Sequence, residues 1–119
     1  MKGRKPTLTH NRDPLTKAPS APAWLSPAAK AEWRRIMPRL IADRIVTKAD
    51  LGSVESYCVA TGRVKELEAL LSSGFDASLW RAQNQAMQTA KQLAGELGLT
   101  PVSRRKIEAG APDDDGFLE

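Results

Sequence analysis

Three adjacent cations near the C-terminus, Arg104, Arg105 and Lys106, are the first residues whose type and spacing suggest chemistry. On a helix they span well over half a turn, and a basic face of this kind can neutralise phosphates without reading bases. The preceding stretch LGLTP contains a Gly suited to end one helix and a Thr-Pro pair suited to open another. The segment therefore predicts a short basic helix from Pro101 to about Glu108. A solvated helix whose cations complement its own dipole is the alternative.

Two further groups of cations lie towards the N-terminus. Residues 1–17 carry five cations against one Asp, a composition typical of a nucleic-acid arm or of a solvated leader. The first helix adds three arginines. The net charge is +4, but four carboxylates lie in the last seven residues, so the remaining chain carries about +8. We take all of these cations as candidate DNA contacts: Lys2, Arg4, Lys5, Arg12, Lys17, Arg34, Arg35, Arg39, Arg104, Arg105 and Lys106.

Residues suited to catalysis or metal binding are sparse. The sequence contains no Gly-rich phosphate loop and no paired His or Cys motif, and His10 lies in the basic leader. Glu66 and Glu68 point to different sides of a helix, and the run Asp113 to Asp115 is a solvated tail by default. With Cys58 as its single cysteine, the chain cannot form an internal disulfide, which fits a reducing compartment. We expect no enzymatic activity, no metal site and no cofactor.

The elements that must position the cations are helical. Residues 1–25 are rich in Pro, which disfavours regular helix and favours a flexible arm. Ser26 and Pro27 then form a helix start, and apolar residues recur at helical spacing from Trp33 to Ile41. Pro38 lies on the polar side of this first helix and predicts a kink near Arg34, since proline removes one backbone donor.

Two longer helices follow and predict an antiparallel hairpin. The sequence Thr47-Lys-Ala-Asp50 is a capping-box start with Asp in place of Glu, and apolar residues continue to about Leu71. A third helix begins near Ser78 after the Ser-Ser-Gly stop, with small residues along its seam. Because the connecting loop is short and the periodicities match, the pair is a natural assembly unit.

Amide side chains on the third helix indicate a covered surface. A free surface helix more often carries Lys and Glu, and charged residues are depleted from interface cores. The alternative is an amide-rich helix without a partner. About 85 residues remain for a core, which is marginal for a monomer. We therefore predict a homo-oligomer whose interface includes Tyr57, Val64, Leu67, Leu71, Gln83, Gln85, Gln88 and Gln92.

These elements define an all-α fold: a kinked N-terminal helix, a central antiparallel helical hairpin, a short basic C-terminal helix and disordered ends. The predicted organisation is a basic Pro-rich flexible arm over residues 1–25, a helical oligomerisation and DNA-handling domain over 26–110, and an acidic tail over 111–119. No apolar run approaches the length that spans a bilayer, so no membrane partner is expected.

The order of the motifs resembles a known family. The stretch APAWLSPAAKAEWRRIMPRLIADRIVTKADLGSVESYC, followed by LGLTPVSRRKI and preceded by a Gly-Arg-Lys-Pro-Thr leader, is similar to the small terminase subunit of tailed bacteriophages, in the P27 group. The resemblance covers nearly the whole chain. The loop between the second and third helices is brief, which is a departure from that pattern.

The resemblance implies a non-catalytic subunit that forms a homo-oligomeric ring, binds double-stranded viral DNA and delivers it to the large ATPase and nuclease subunit in the cytoplasm of the bacterial host. Two alternatives come from the residues. The first two helices resemble a helix-turn-helix, as in a small transcriptional regulator, although Asp50 and Glu55 would repel a DNA groove. A helical virion adaptor that binds no DNA would leave the basic clusters unexplained.

Overall fold

The described part of the chain forms four α-helices in a computed structural model that describes residues 13–108, with side chains up to residue 105. The helices are α1 (Pro27–Ala42), α2 (Leu51–Leu71), α3 (Ala77–Glu96) and α4 (Pro101–Glu108), and a single 3-10 turn, Lys48–Asp50, leads into α2. Between residues 13 and 108 the β pairing is limited to one isolated bridge that joins Pro14 to Thr47. The predicted all-α fold is confirmed.

Polar side chains cap the helix starts where the sequence predicted them. The Ser26 hydroxyl accepts a hydrogen bond from the Ala29 N–H at 3.2 Å, and Pro27 is the first helical residue. The Asp50 carboxylate accepts from the backbone N–H of Thr47 at 2.9 Å and from its hydroxyl at 3.0 Å. These bonds satisfy N–H groups that have no partner within the helix or its entry turn, and so they fix where each helix begins.

Helix α1 runs unbroken through Pro38, which is exposed. The missing N–H of Pro38 leaves the Arg34 carbonyl without its usual partner on the solvent side, where water can replace it. The loss of the hydrogen bond to the Arg34 carbonyl therefore does not end the helix. A kink near Arg34 stays a prediction.

The apolar stripe of α1 packs against the first half of α2 and builds the core. Trp33, Met37 and Leu40 on α1 are buried together with Val54 and Cys58 on α2. The end of α3 closes the same cluster. Contact between α1 and α2 is so close that a Cβ atom added at Gly62 would lie 2.9 Å from the Ala29 nitrogen, so only glycine fits there without a shift.

Helices α2 and α3 form the predicted hairpin, but their distal halves lie outside the core. Gln83 is buried between the two helices and donates from Nε2 to the Glu68 carboxylate at 2.8 Å and to the Val64 carbonyl at 3.3 Å. It is the buried residue of α3. Around the connection, Leu70 and Phe75 are 56% and 75% exposed, so the hairpin presents apolar surface that its own chain does not cover.

Residues 13–25 differ from the flexible arm that their proline content predicted. The Leu15 N–H donates to the Val46 carbonyl at 2.9 Å, and the Trp33 indole donates to the Pro19 carbonyl at 3.0 Å. Leu25 is buried in the core. Proline prevents helix here, as expected, but the apolar residues between the prolines gain enough burial to pack an extended segment onto α1. Residues 1–12 and 109–119, which include the rest of the arm and the acidic tail, lie outside the described residues.

No helix between residues 13 and 108 is both long and apolar enough to cross a bilayer.

Candidate nucleic-acid interface and assembly surface

Cationic side chains line the exposed side of α1. Arg34, Arg35 and Arg39 are exposed, and Lys30 is half-buried beside them. Arg34 has no carboxylate partner among the residues that the structure describes, whereas Arg39 lies 4.0 Å from Asp43. This solvent side flanks the core stripe in two rows, Lys30 with Arg34 and Arg35 with Arg39, because the helical period separates the cations from the buried residues. It carries positive charge in the open, where an extended polyanion can reach it.

Arg35 is held by a buried carboxylate on its own helix. Glu32 is 1% exposed, and its two oxygens accept from Nε of Arg35 at 2.8 Å and from Nη2 of the same guanidinium. The Tyr57 hydroxyl on α2 donates to Glu32 at 2.7 Å. A buried charge needs such partners, since an unpaired one is costly. We call Glu32, Arg35 and Tyr57 the carboxylate cluster; it joins α1 to α2.

The carboxylate cluster shifts the ionisation of its members. Burial by itself raises the pKa of Glu32, but the hydrogen bonds from Arg35 and Tyr57 outweigh it, so the pKa lies below its ordinary value. Burial, followed by the hydrogen bond to Glu32, raises the pKa of Tyr57. The hydrogen bond to Glu32 also raises the pKa of Arg35. The cluster is therefore ionised as Glu32 carboxylate and Arg35 guanidinium at neutral pH, with a neutral Tyr57 hydroxyl.

The C-terminal cations are not equivalent. Arg105 is exposed, but Arg104 is half-buried and its Nε atom is enclosed without a hydrogen-bond partner among the described residues. The Lys106 side chain lies outside the described residues, as do the predicted leader contacts Lys2, Arg4, Lys5 and Arg12. Lys17 is exposed. The cations of α1 and α4 therefore belong to different parts of the fold, because α1 packs on α2 whereas α4 packs on α3.

One flank of the α2–α3 hairpin contains an open groove of about 740 Å³. Its walls come from both helices, and the Trp24 indole, 65% exposed, lies at its edge. We call this surface the groove; it is lined among others by Trp24, Val59, Arg63, Leu67, Ala82 and Ala86. Its lining combines small and aliphatic side chains with polar ones, among them Arg63, Gln85 and Gln88.

The predicted interface residues divide between the inside of the hairpin and its surface. Tyr57 and Gln83 are buried within their own chain, and Val64 and Leu71 are half-buried. Leu67, Gln85 and Gln88 line the groove, and Gln92 is exposed on the same helix. Helical periodicity alone does not distinguish a seam within the chain from a seam between copies, because both need the same spacing.

Two features were missed by the sequence analysis. Trp24 was assigned to the flexible arm, and the signal that could have placed it was an aromatic residue immediately before the Leu-Ser-Pro helix start. Glu32 was not singled out at all. Its burial depends on Tyr57, which is 25 residues away in sequence, so no local pattern reveals it.

Comparison with known families gives one match. The family model for phage terminase, small subunit, matches residues 29–114, which is well over half of the chain. No curated protein and no solved structure matches. The match spans α1 to α4 and therefore includes the cationic face, the carboxylate cluster and most of the groove. The chain belongs to the phage terminase small subunit family, whose role is in phage DNA packaging.

Proposed function

We propose that this chain is a DNA-handling subunit of the P27 group that assembles into a homo-oligomeric ring. It binds double-stranded viral DNA and delivers it to the large terminase subunit, which supplies the ATPase and nuclease activities. It acts in the cytoplasm of the bacterial host, where packaging takes place, and it has no catalytic role of its own. The family match supports a packaging role, and the charged surfaces support the contact with DNA.

The observation that carries the proposed DNA contact is the exposed cationic side of α1. Arg34 has no carboxylate partner among the described residues, so its full charge is available to a phosphate. Arg35 already forms an ion pair with Glu32, so its attraction for a DNA phosphate is weaker. We therefore expect Arg34 to contribute more to DNA affinity than Arg35. Such contacts are to phosphates, so they bind duplexes of different sequence with similar affinity.

The salt dependence of DNA binding tests this proposal. Full-length protein is titrated against a fluorescent duplex at several salt concentrations, and the affinity of the wild type is expected to fall steeply. Each phosphate that is neutralised adds roughly 0.9 to the slope of log affinity against log salt. The variant Arg34→Gln should lower that slope, by about 0.9 for each Arg34 that contacts the duplex.

Lys48→Gln is the matched control, because Lys48 is an exposed cation on the turn before α2 and lies off the cationic side of α1. It should leave the slope unchanged. A wild-type affinity that does not depend on salt would contradict the electrostatic contact. If Arg34→Gln and Lys48→Gln give equal slopes, Arg34 does not contact the DNA phosphates.

The terminal segments are assigned complementary roles in this proposal. The cations of residues 1–12 act as a capture arm, while Arg104, Arg105 and Lys106 contact either DNA or an acidic surface of the large subunit. The acidic tail, Asp113 to Asp115, competes weakly with DNA for those cations at physiological salt.

A further inference from the structure

We infer that one strand of the DNA duplex lies in a cleft between α1 and the segment that precedes it, with a phosphate on Lys30 and Arg34 and the adjoining deoxyribose against the prolines of the cleft. This inference rests on the proposed DNA contact of α1 and adds to it Lys30, Ser20 and a second wall. We call residues 13–25 the strap, and the space between the strap and α1 the cleft.

The cleft has a volume of about 400 Å³ and is bounded by two walls. Residues 18–21 of the strap form one wall, and the side of α1 that carries Lys30, Arg34 and Met37 forms the other. These three residues are four and three positions apart, so they lie in one row along the helix. The row extends over about 10 Å at 1.5 Å per residue. An extended strand can therefore lie along α1 within the cleft.

The strap is fixed against the helical core, so the cleft is formed before a ligand binds. The Trp33 indole, which lines the cleft, donates to the Pro19 carbonyl at 3.0 Å. At the ends of the strap, Leu25 is 3% exposed and the Leu15 N–H donates to the Val46 carbonyl at 2.9 Å. A preformed site loses less affinity to the ordering of its own chain.

Positive charge in the cleft is not neutralised by the chain around it. The stretch from residue 14 to residue 42 contains one acidic residue, Glu32. Glu32 is 1% exposed, and its carboxylate accepts from Arg35, which lies outside the cleft. Among the described residues no carboxylate lines the cleft. An anion that enters it therefore meets cations without a competing negative charge.

The two rows of cations on α1 differ in this respect. Arg35 and Arg39 each have a carboxylate of their own chain within 4.0 Å. Lys30 and Arg34 have no ion-pair partner within residues 13–108. Because an ion pair that is already formed weakens the attraction for a further anion, the row in the cleft binds a phosphate more strongly than the neighbouring row does.

The remaining lining suits the sugar next to that phosphate. Pro19, Met37 and Pro38 contribute apolar surface, and Ser20 contributes an exposed hydroxyl. Cations and hydroxyls are the side-chain groups that contact phosphate oxygens, and such contacts carry no information about the base sequence. A duplex presents its phosphates in an unbroken row, so it is the anion that matches an elongated cleft with two adjacent cations.

Two substitutions that add the same charge to the strap test the inference. Ser20→Glu places a carboxylate in the cleft that Lys30 and Arg34 line. Thr16→Glu is the matched control, because Thr16 is also exposed on the strap but lies outside the cleft. The full chain is titrated against a fluorescent duplex at several salt concentrations, which gives the affinity and the slope of log affinity against log salt.

Ser20→Glu should lower that slope by about 0.9 for each cleft that contacts the duplex, since its carboxylate takes the place of a phosphate. At about 0.1 M salt, the loss of one such contact corresponds to an affinity about 10-fold weaker. Thr16→Glu should leave the slope unchanged and weaken the affinity less than about threefold, because salt screens its charge from the duplex.

A second pair of variants tests the wall that α1 provides. Lys30→Gln should lower the slope by about 0.9 for each contact, whereas Arg39→Gln should lower it less, because Asp43 already offsets part of the Arg39 charge. Circular dichroism establishes that each variant keeps its helices. If Ser20→Glu does not fold, the comparison of Lys30→Gln with Arg39→Gln decides.

The outcomes separate this inference from the proposed function. If Ser20→Glu and Thr16→Glu bind DNA alike, or if Lys30→Gln and Arg39→Gln do, the DNA backbone does not lie in the cleft, and the inference is overturned while the wild-type contact with DNA stands. A wild type that does not bind the duplex at any salt concentration overturns the proposed function together with this inference.

Discussion

The packing of α1 against α2 predicts opposite effects for the same substitution at two glycines of one helix. A Cβ atom added at Gly62 would lie 2.9 Å from the backbone nitrogen of Ala29 and 3.2 Å from its Cα atom. Both are backbone atoms, so α1 would have to move away from α2. At Gly52, also in α2, an added Cβ atom meets nothing within 4 Å.

The magnitudes follow from two competing terms. Replacing glycine by alanine in a helix stabilises it by up to about 1 kcal/mol, with less at Gly52 because it is the second residue of α2. Overpacking a tight contact costs about 1–3 kcal/mol. Gly52→Ala should therefore raise the free energy of unfolding slightly. Gly62 lies in the middle of α2, so its helix term of about 1 kcal/mol offsets part of the overpacking cost, and Gly62→Ala should lower the free energy of unfolding by up to about 2 kcal/mol.

Thermal unfolding followed by circular dichroism measures this difference. For a domain of this size, 1 kcal/mol corresponds to a change in melting temperature of about 4–8 °C, so Gly62→Ala should melt below the wild type, by up to about 16 °C, and Gly52→Ala should melt at or slightly above it. Both variants are measured at one protein concentration, because assembly also changes the melting temperature. If Gly62→Ala melts as high as Gly52→Ala, the two helices are not in the close contact described.

Three further predictions concern the carboxylate cluster, the buried thiol and the termini. Because the pKa of Glu32 is lowered in the folded chain, its contribution to stability is present above its ordinary pKa of 4.5 and is lost as the pH falls through the lower folded value. Glu32→Gln should lower the free energy of unfolding by on the order of 2 kcal/mol at pH 7 and should make it depend less on pH below 4.5. If the pH dependence of the variant equals that of the wild type, the carboxylate cluster does not have this role. Burial raises the pKa of the Cys58 thiol to about 12, so a thiol reagent at pH 8 should react with Cys58 at the rate of unfolding, and rapid reaction of the folded chain would contradict its burial. Deleting residues 1–12 should weaken DNA binding, whereas deleting residues 112–119 should strengthen it or leave it unchanged; if tail deletion abolishes binding in an intact oligomer, the competition model is wrong.

The sequence by itself determined the helices and their ends, because those depend on contacts within a few residues. Ser26 and Asp50 cap helices through bonds to residues three positions away, and Gly98 takes the left-handed φ of 73° at the end of α3. In the structure α2 contacts both of its neighbours: Val54 and Cys58 are buried in the core with α1, and the Val64 carbonyl accepts a hydrogen bond from Gln83 of α3.

The tertiary structure decided which polar and apolar residues are covered. Glu32 is buried only because Tyr57 and Arg35 converge on it, and residues 13–25 pack because Trp33 and Val46 offer them hydrogen-bond partners as well as apolar surface. Such contacts join residues that are distant in sequence, so periodicity and composition carry no record of them. For the same reason the exposure of Trp24 and Trp80, which is 65% and 49%, follows from the packing of the hairpin and not from the sequence around either residue.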